Sequence, residues 1–306
     1  MIITKEILPG VTIHPQIIKT ALGNVEFDLT EGKGPVVLAS HGGIGGVDQA
    51  RLLLNWIDPT EYRLLSLSRP GYLNTPLSSG QSFEAQADLF AALLDTLQIE
   101  RAAIVTLSAG GPPGYQFAVR HPDRIWALVA IASVSGCYVP PETAGPVTQA
   151  LFMSQWGQQF VKQIARRNPA WLLQEMFQST GYYDKQQIRA HIDFSLRSPE
   201  VLNFAHALVD AMNPYGPRKA GNDNDAVQLQ QLTHVPLEQI QCPSLIIHGT
   251  HDADVKFYDG VYAHENIPGA ERFWIEYESH LGFWLSPHAA KAQAVAREFL
   301  SRHRPS

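Results

Sequence analysis

Two hydrophobic rhythms run along the chain. From Val11 to Leu29, apolar and polar residues alternate around Gly23-Asn24, a pair suited to a tight turn, which predicts an antiparallel hairpin at one edge of a sheet. Pro35 to Ala39 is instead short, continuously apolar and β-branched, as a strand covered on both faces requires. Helical spacing follows from Val47 to Trp56, a strand from Tyr62 to Leu67 and a helix from Ser82 to Leu97. A strand at Ala102 to Leu107, a helix from Gly111 to Arg120 and a strand at Ile125 to Ala132 continue the alternation. Such regular exchange predicts an α/β fold, with a mostly parallel central sheet and helices on both faces.

At Gly136 the rhythm breaks. Residues 137–236 hold amphipathic helical stretches, among them Val147 to Arg166 and Glu200 to Met212, but no buried strand. They read as a helical domain inserted into a core built from 1–136 and 237–306. Asn213 to Asp225, rich in Pro, Gly, Asn and Asp, is expected to be the loop that brings the chain back. Alternation resumes with a strand at Ser244 to His248, a helix from Lys256 to Asn266, a strand from Glu271 to Tyr277 and a helix after Pro287.

Composition narrows the function. With 306 residues, 45% hydrophobic and 17% charged, the chain can bury a large core and is too apolar for intrinsic disorder. A net charge of -6 with scattered Lys and Arg speaks against nucleic acid as a partner. No apolar run would span a bilayer, and Met1 to Pro15 lacks the basic start and apolar stretch of a secretory signal, so a cytoplasmic protein is expected. Cys137 and Cys242 lie far apart without C-x-x-C spacing and are expected to be reduced thiols.

The first candidate for chemistry is Ser108, in Thr106-Leu107-Ser108-Ala109-Gly110-Gly111, where an apolar strand meets a helix. A hydroxyl that attacks a carbonyl must stand clear of its backbone, and a sharp strand-to-helix turn achieves this if the residues two before and two after are small. Gly110 meets that demand; Thr106 is larger than the Gly of G-x-S-x-G. Pro112 and Pro113 suit a first helical turn, so the helix start would face the reacting oxygen with Ala109 as one N-H donor. The competing role for Ser108 is a plain helix N-cap. His41-Gly42-Gly43-Ile44-Gly45-Gly46 follows a strand directly and suits a loop giving the second oxyanion N-H, from Gly43 or Ile44, with His41 structural. Phosphate-cradling is the rival, but neither G-K-[ST] nor G-x-G-x-x-G spacing is present.

In His248-Gly249-Thr250-His251-Asp252-Ala253-Asp254, Asp252 is the candidate acid and Asp254 its competitor. A metal bound by His248, His251, Asp252 and Asp254 is the alternative there, disfavoured because successive strand-end residues diverge and no H-x-x-x-H spacing exists. His280, just past a strand, is the candidate base; His264 and His288 fall on helices. The order Ser, Asp, His, each after a different parallel strand, lets three distant segments converge at one sheet edge.

These motifs make the chain resemble the α/β-hydrolase family along nearly its whole length, with a helical cap inserted after the sixth strand. His41-Gly42-Gly43 is similar to the family's oxyanion loop, Arg69-Pro70-Gly71-Tyr72 to the loop after its fourth strand, and Ser108-Ala109-Gly110-Gly111 to its nucleophile elbow. Gly249-Thr250-His251-Asp252 resembles its G-x-x-D acid loop, which favours Asp252 over Asp254. Thr106 and Ser68, where many members carry Gly and Asp, depart from the pattern. A Ser nucleophile rather than Asp speaks against the haloalkane dehalogenase and epoxide hydrolase branches.

The resemblance implies two-step acyl transfer on a small or medium apolar ester, thioester or lactone, with no cofactor or metal, a small-molecule substrate as partner, and a homodimer left open. Phe283 and Trp284, beside the base, are expected to wall the substrate pocket. Met153, Trp156, Phe160, Trp171, Met176, Phe177, Tyr182 and Tyr183 are the apolar candidates from the cap, Trp156 foremost. Two alternatives stand: a carbon-carbon bond hydrolase using Arg166, Arg167 or Arg189 for a substrate carboxylate, and a ligand-binding protein on an inactive hydrolase scaffold.

Overall fold

The computed structural model describes residues 4–139 and 155–305. Ten strands are present: β1 (Lys5–Leu8), β2 (Val11–Ile13), β3 (Gln16–Thr20), β4 (Gly23–Leu29), β5 (Val36–Ser40), β6 (Arg63–Leu67), β7 (Ala102–Ser108), β8 (Ile125–Ser133), β9 (Ser244–Gly249) and β10 (Glu271–Ile275). Eight of them form one sheet in the order β10-β9-β8-β7-β5-β6-β4-β3, antiparallel at the β3-β4-β6 edge and parallel elsewhere.

Alternate residues of the central strands feed two separate cores. Val37, Ala39, Ala103, Val105, Val129 and Ile247 face α1 (Val47–Leu53) and the closing helix Ala289–His303. Val36, Leu38, Ile104, Leu128, Ala130 and Ile246 face α2 (Phe83–Thr96), α3 (Gly111–Arg120) and the helix Phe257–Asn266. Both faces are therefore covered, which is why β5, β7 and β8 are buried almost end to end and mostly apolar rather than alternating.

The edge differs from expectation in two ways. Thr20 pairs with Gly23, so Ala21-Leu22 makes the turn, closed by the Thr20 hydroxyl donating to the Gly23 carbonyl at 2.8 Å. Val11–Ile13 leaves that hairpin to pair with Lys5–Leu8 as a separate ribbon.

Between β8 and β9 the described residues form helices α4 (Gln155–Arg167), α5 (Pro169–Thr180), α6 (Lys185–Arg197), α7 (Pro199–Ala211) and α8 (Lys219–Gln231), with no strand among them. Of the expected helix Val147 to Arg166, the first part lies outside the described residues. Helix α8 also corrects the loop expected from Asn213 to Asp225. The segment becomes helical because it docks on the loop after β6: the Gly221 amide donates to the Gly71 carbonyl at 2.8 Å, and Leu73 N-H to the Pro217 carbonyl at 2.8 Å. A Cβ on Gly221 would lie 2.2 Å from the Tyr72 ring, so glycine, a poor helix former, is what the close approach requires. No helix among the described residues is long and apolar enough to cross a membrane.

Candidate active site

Ser108 closes β7 with φ 54°, a left-handed conformation that a serine adopts only where the surroundings enforce it. Helix α3 starts three residues later, with prolines in its first turn, so its free N-H groups lie behind the serine. The oversized Thr106 is accommodated from the helix side. Its hydroxyl is 2.7 Å from that of Ser133, and its methyl occupies the space a side chain on Gly114 would need, 2.2 Å from the Cβ position. The small residue the elbow requires has in effect moved from the strand to the helix. Gly114→Ala should therefore cost about 1–3 kcal/mol through overpacking. Thr106→Ser, which deletes the methyl and keeps the hydroxyl, should restore most of it; a double-mutant cycle in urea checks this.

Asp252 and His280 meet as expected. His280 Nδ1 lies 2.8 Å from Asp252 Oδ2, with both side chains buried. Oδ1 accepts from the Asp254 and Val255 amides, each at 2.9 Å, and His248 Nε2 is 3.2 Å from Oδ2. Burial alone would raise the Asp252 pKa, but the His280 charge and the hydrogen bonds of His248 and His280 outweigh it and hold the carboxyl below its ordinary range. Asp254 takes the other side of the ring: its Oδ2 is 3.7 Å from His280 Nε2. Burial would lower the imidazole pKa, but Asp252 first and Asp254 second overcome this and push it up to about 9.

The two loops are stitched together by backbone. His251 N-H donates to the Glu278 carbonyl at 2.9 Å, and the Thr180 carbonyl accepts from both Ala253 and His280 amides. Thr180, at the end of α5, thus ties the helical segment to the loops that carry Asp252 and His280. His251 packs against Tyr277, away from His248, so the ligand cluster considered for a metal does not converge.

Facing Ser108 is the loop His41–Gly46. Arg69 N-H donates to His41 Nε2 at 3.0 Å, which leaves Nδ1 to donate to the Gly42 carbonyl at 2.8 Å. Burial, then the Arg69 charge, drives the His41 pKa well below its usual value, so this neutral ring is a brace for the loop. Ile44 has φ 55°, and both it and Gly43 border the cavity.

Two buried ion pairs anchor this loop to the helical segment. Arg69 pairs with Asp225 through both terminal guanidinium nitrogens, and Tyr72 donates to the same carboxylate at 2.6 Å. Arg218 reaches back to Asp48 at 2.8 Å and to the Gly45 carbonyl at 2.6 Å. Neither pair is legible in the sequence, because Asp225 and Arg218 lie in the stretch whose composition predicts a returning loop.

Ser108 and His280 line one cavity of about 430 Å³, with Gly43, Ile44 and Ala109 on its rim. Its apolar wall is Leu107, Val134, Leu208, Met212, Leu229 and Leu281. Phe283 and Trp284 are not part of it, which corrects the expected pocket walls. The short helix Gly282–Leu285 turns both inward, 1% and 4% exposed, where Phe283 packs on Trp56 and Trp284 stacks on Phe204. Of the cap aromatics, Phe177 is core, Tyr182 faces solvent beside Lys256, and Tyr183 donates to Glu278. Trp171 and Met176 pack in a small core of the helical segment. Met153 lies outside the described residues, as do the side chains of Trp156 and Phe160. The apolar spacing of Glu200 to Met212 was the available signal for Leu208 and Met212; α8 carried none.

A sequence model of the alpha/beta hydrolase fold matches residues 35–287. The chain belongs to the α/β-hydrolase family. An alpha/beta hydrolase fold protein from Nakamurella multipartita is similar at 33% identity and TM-score 0.88, with 94% of this chain and 98% of that one covered. The uncharacterized hydrolase YcgS of Bacillus subtilis is 26% identical, over 91% of this chain and 95% of its own length. The 2-hydroxy-6-oxononadienedioate/2-hydroxy-6-oxononatrienedioate hydrolase of Burkholderia vietnamiensis is 25% identical, over 96% of this chain and 93% of its own. As an α/β-hydrolase, the protein has a mostly parallel central sheet flanked by helices, and its helical segment falls after the sixth strand of the main sheet.

Proposed function

We propose that this α/β-hydrolase is a serine esterase acting on a small or medium, largely apolar ester, thioester or lactone. The observation that carries this reading is the Asp252-paired imidazole of His280 sharing a cavity with the strained Ser108. Ser108 Oγ attacks the carbonyl carbon and its proton passes to His280 Nε2, while Asp252 holds Nδ1-H and stabilises the imidazolium. The oxyanion is met by the Ala109 amide and by that of Gly43 or Ile44, both of which border the cavity. The carbonyl-to-leaving-group bond then breaks, the leaving group takes the proton from His280, and water attacks the acyl-enzyme by the same route in reverse. No cofactor enters these steps.

The helical segment, assigned to residues 137–236, acts as the lid, supplying Leu208, Met212 and Leu229 to the apolar wall. The reduced cysteines Cys137 and Cys242 fit a cytoplasmic setting. The carbon-carbon bond hydrolase alternative draws on the dienedioate hydrolase relatives, whose named substrates are dicarboxylates. Such a substrate calls for a cation, and no Lys or Arg lines the cavity among the described residues. Arg166 and Arg189 are exposed, and residues 140–154 contain no Lys, Arg or His. The ester reading is therefore preferred.

A fluorophosphonate should label the protein stoichiometrically at Ser108, and Ser108→Ala should abolish labelling; an unlabelled wild type ends the proposal. A further expectation concerns pH. Only neutral His280 can accept the serine proton, and its raised pKa keeps the ring charged at neutrality, so kcat/KM should rise with a midpoint near pH 9. Asp254→Asn removes one of the two anions facing the ring and should move that midpoint to lower pH; a wild-type midpoint at pH 6.5, the ordinary histidine value, would contradict it.

A further inference from the structure

We propose that Asp254 determines leaving-group specificity, favouring leaving groups that carry a positive charge or a hydrogen-bond donor and rejecting those that carry a carboxylate. This rests on the reading of Ser108 as nucleophile and His280 as base. Two aspartates two residues apart hold opposite nitrogens of one imidazole, Asp252 at Nδ1 and Asp254 at Nε2, 2.8 and 3.7 Å away.

Their surroundings differ. Asp252 is held by two amides on Oδ1 and by His280 on Oδ2, with His248 Nε2 3.2 Å from the same oxygen. Among the described residues, no amide or side chain donates a hydrogen bond to the Asp254 carboxylate, which is 36% exposed and borders the cavity. Lys256, the nearest cation in sequence, is turned to the Tyr182 hydroxyl and the Ala253 carbonyl. The other cavity carboxylate, Asp225, is neutralised by Arg69 and Tyr72.

Position supplies the role. Nε2 receives the serine proton and hands it to the departing atom, so a group beside Nε2 stands on the leaving-group side of the carbonyl. His280 is the one cation the carboxylate faces among the described lining residues, and it is neutral when it acts as base, so in the reacting state the carboxylate attracts a cation and repels an anion with no Lys or Arg beside it. A purely structural Asp254 would be expected to use its oxygens on the loop, as Asp252 does.

The test uses three methylphosphonothioates that differ only in the leaving thiol: one ending in trimethylammonium, one in the isosteric tert-butyl group, one in carboxylate. In each, the Ser108 Oγ-P bond forms, the P-S bond breaks, and the serine proton passes through His280 to the departing thiolate, so all three leave the same adduct. Labelling rates are followed by intact mass for the wild type and Asp254→Asn. The expected result is a cationic-to-neutral rate ratio of about 10 or more in the wild type, falling to about 1–2 in Asp254→Asn. The carboxylate compound should be slowest in the wild type and gain in the variant. A wild-type ratio near unity, or one unchanged by Asp254→Asn, overturns the inference while leaving Ser108 catalysis standing. No labelling by any compound overturns both. Because each ratio is taken within one protein, a partly destabilised variant still reports it.

Discussion

Asp252→Asn should lower kcat by about 10⁴ with the fold intact, because the surrounding donors dictate which way the amide must point. Oδ1 of Asp252 accepts two backbone N-H groups, from Asp254 and Val255. In the asparagine variant only the carbonyl oxygen can satisfy them, which places the NH₂ where Oδ2 stood, facing His280 Nδ1. Two donors then oppose each other unless His280 gives up its Nδ1 proton and carries it on Nε2. That tautomer points an N-H at Ser108 instead of a lone pair, and the base is lost. Steady-state kcat on an activated ester, with circular dichroism as the control for folding, checks it. A loss below about 100-fold would mean that Asp254 or another group serves as the acid.

The second large effect should come from Asp225, remote from the reacting atoms. Asp225→Ala leaves the Arg69 guanidinium, wholly buried, without its counter-charge, and should cost about 3–5 kcal/mol in stability. Activity should fall as well, since Arg69 also donates to the His41 carbonyl at 2.9 Å and its amide holds the His41 ring behind the oxyanion loop. Replacing both partners, Arg69→Met with Asp225→Leu, removes the stranded charge and should recover much of the stability. It should not recover kcat, because the His41 carbonyl loses its donor. Chemical denaturation of the three variants, with kcat beside it, separates the two consequences; a double variant no more stable than Asp225→Ala would refute the ion-pair account.

Of the site, the residues at strand ends were legible and the residues that wall the cavity were not. Ser108 and Asp252 come at or just past apolar strands and His280 past the mixed strand ERFWI, and position after a parallel strand is enough to place a residue at the crevice. Phe283 and Trp284 show the limit: adjacency to His280 along the chain said nothing about which way a four-residue helix would turn them. Asp225 and Arg218 show it again, because a run of Gly, Asn and Asp has the composition of a loop, and only docking on Gly71 and Tyr72 makes it helical.

By itself the sequence determined the α/β framework and the order in which the proposed nucleophile, acid and base follow their strands, since periodicity and turn chemistry are local and each motif lies within a few residues of a strand end. Tertiary structure alone decided that Thr106 is tolerated through Gly114, that Asp252 and Asp254 divide the two nitrogens of His280, and that Leu208, Met212 and Leu229 line the cavity. The physical reason is that each of these depends on side chains or backbone brought together across separate elements, and spacing along the chain does not encode the direction in which they meet.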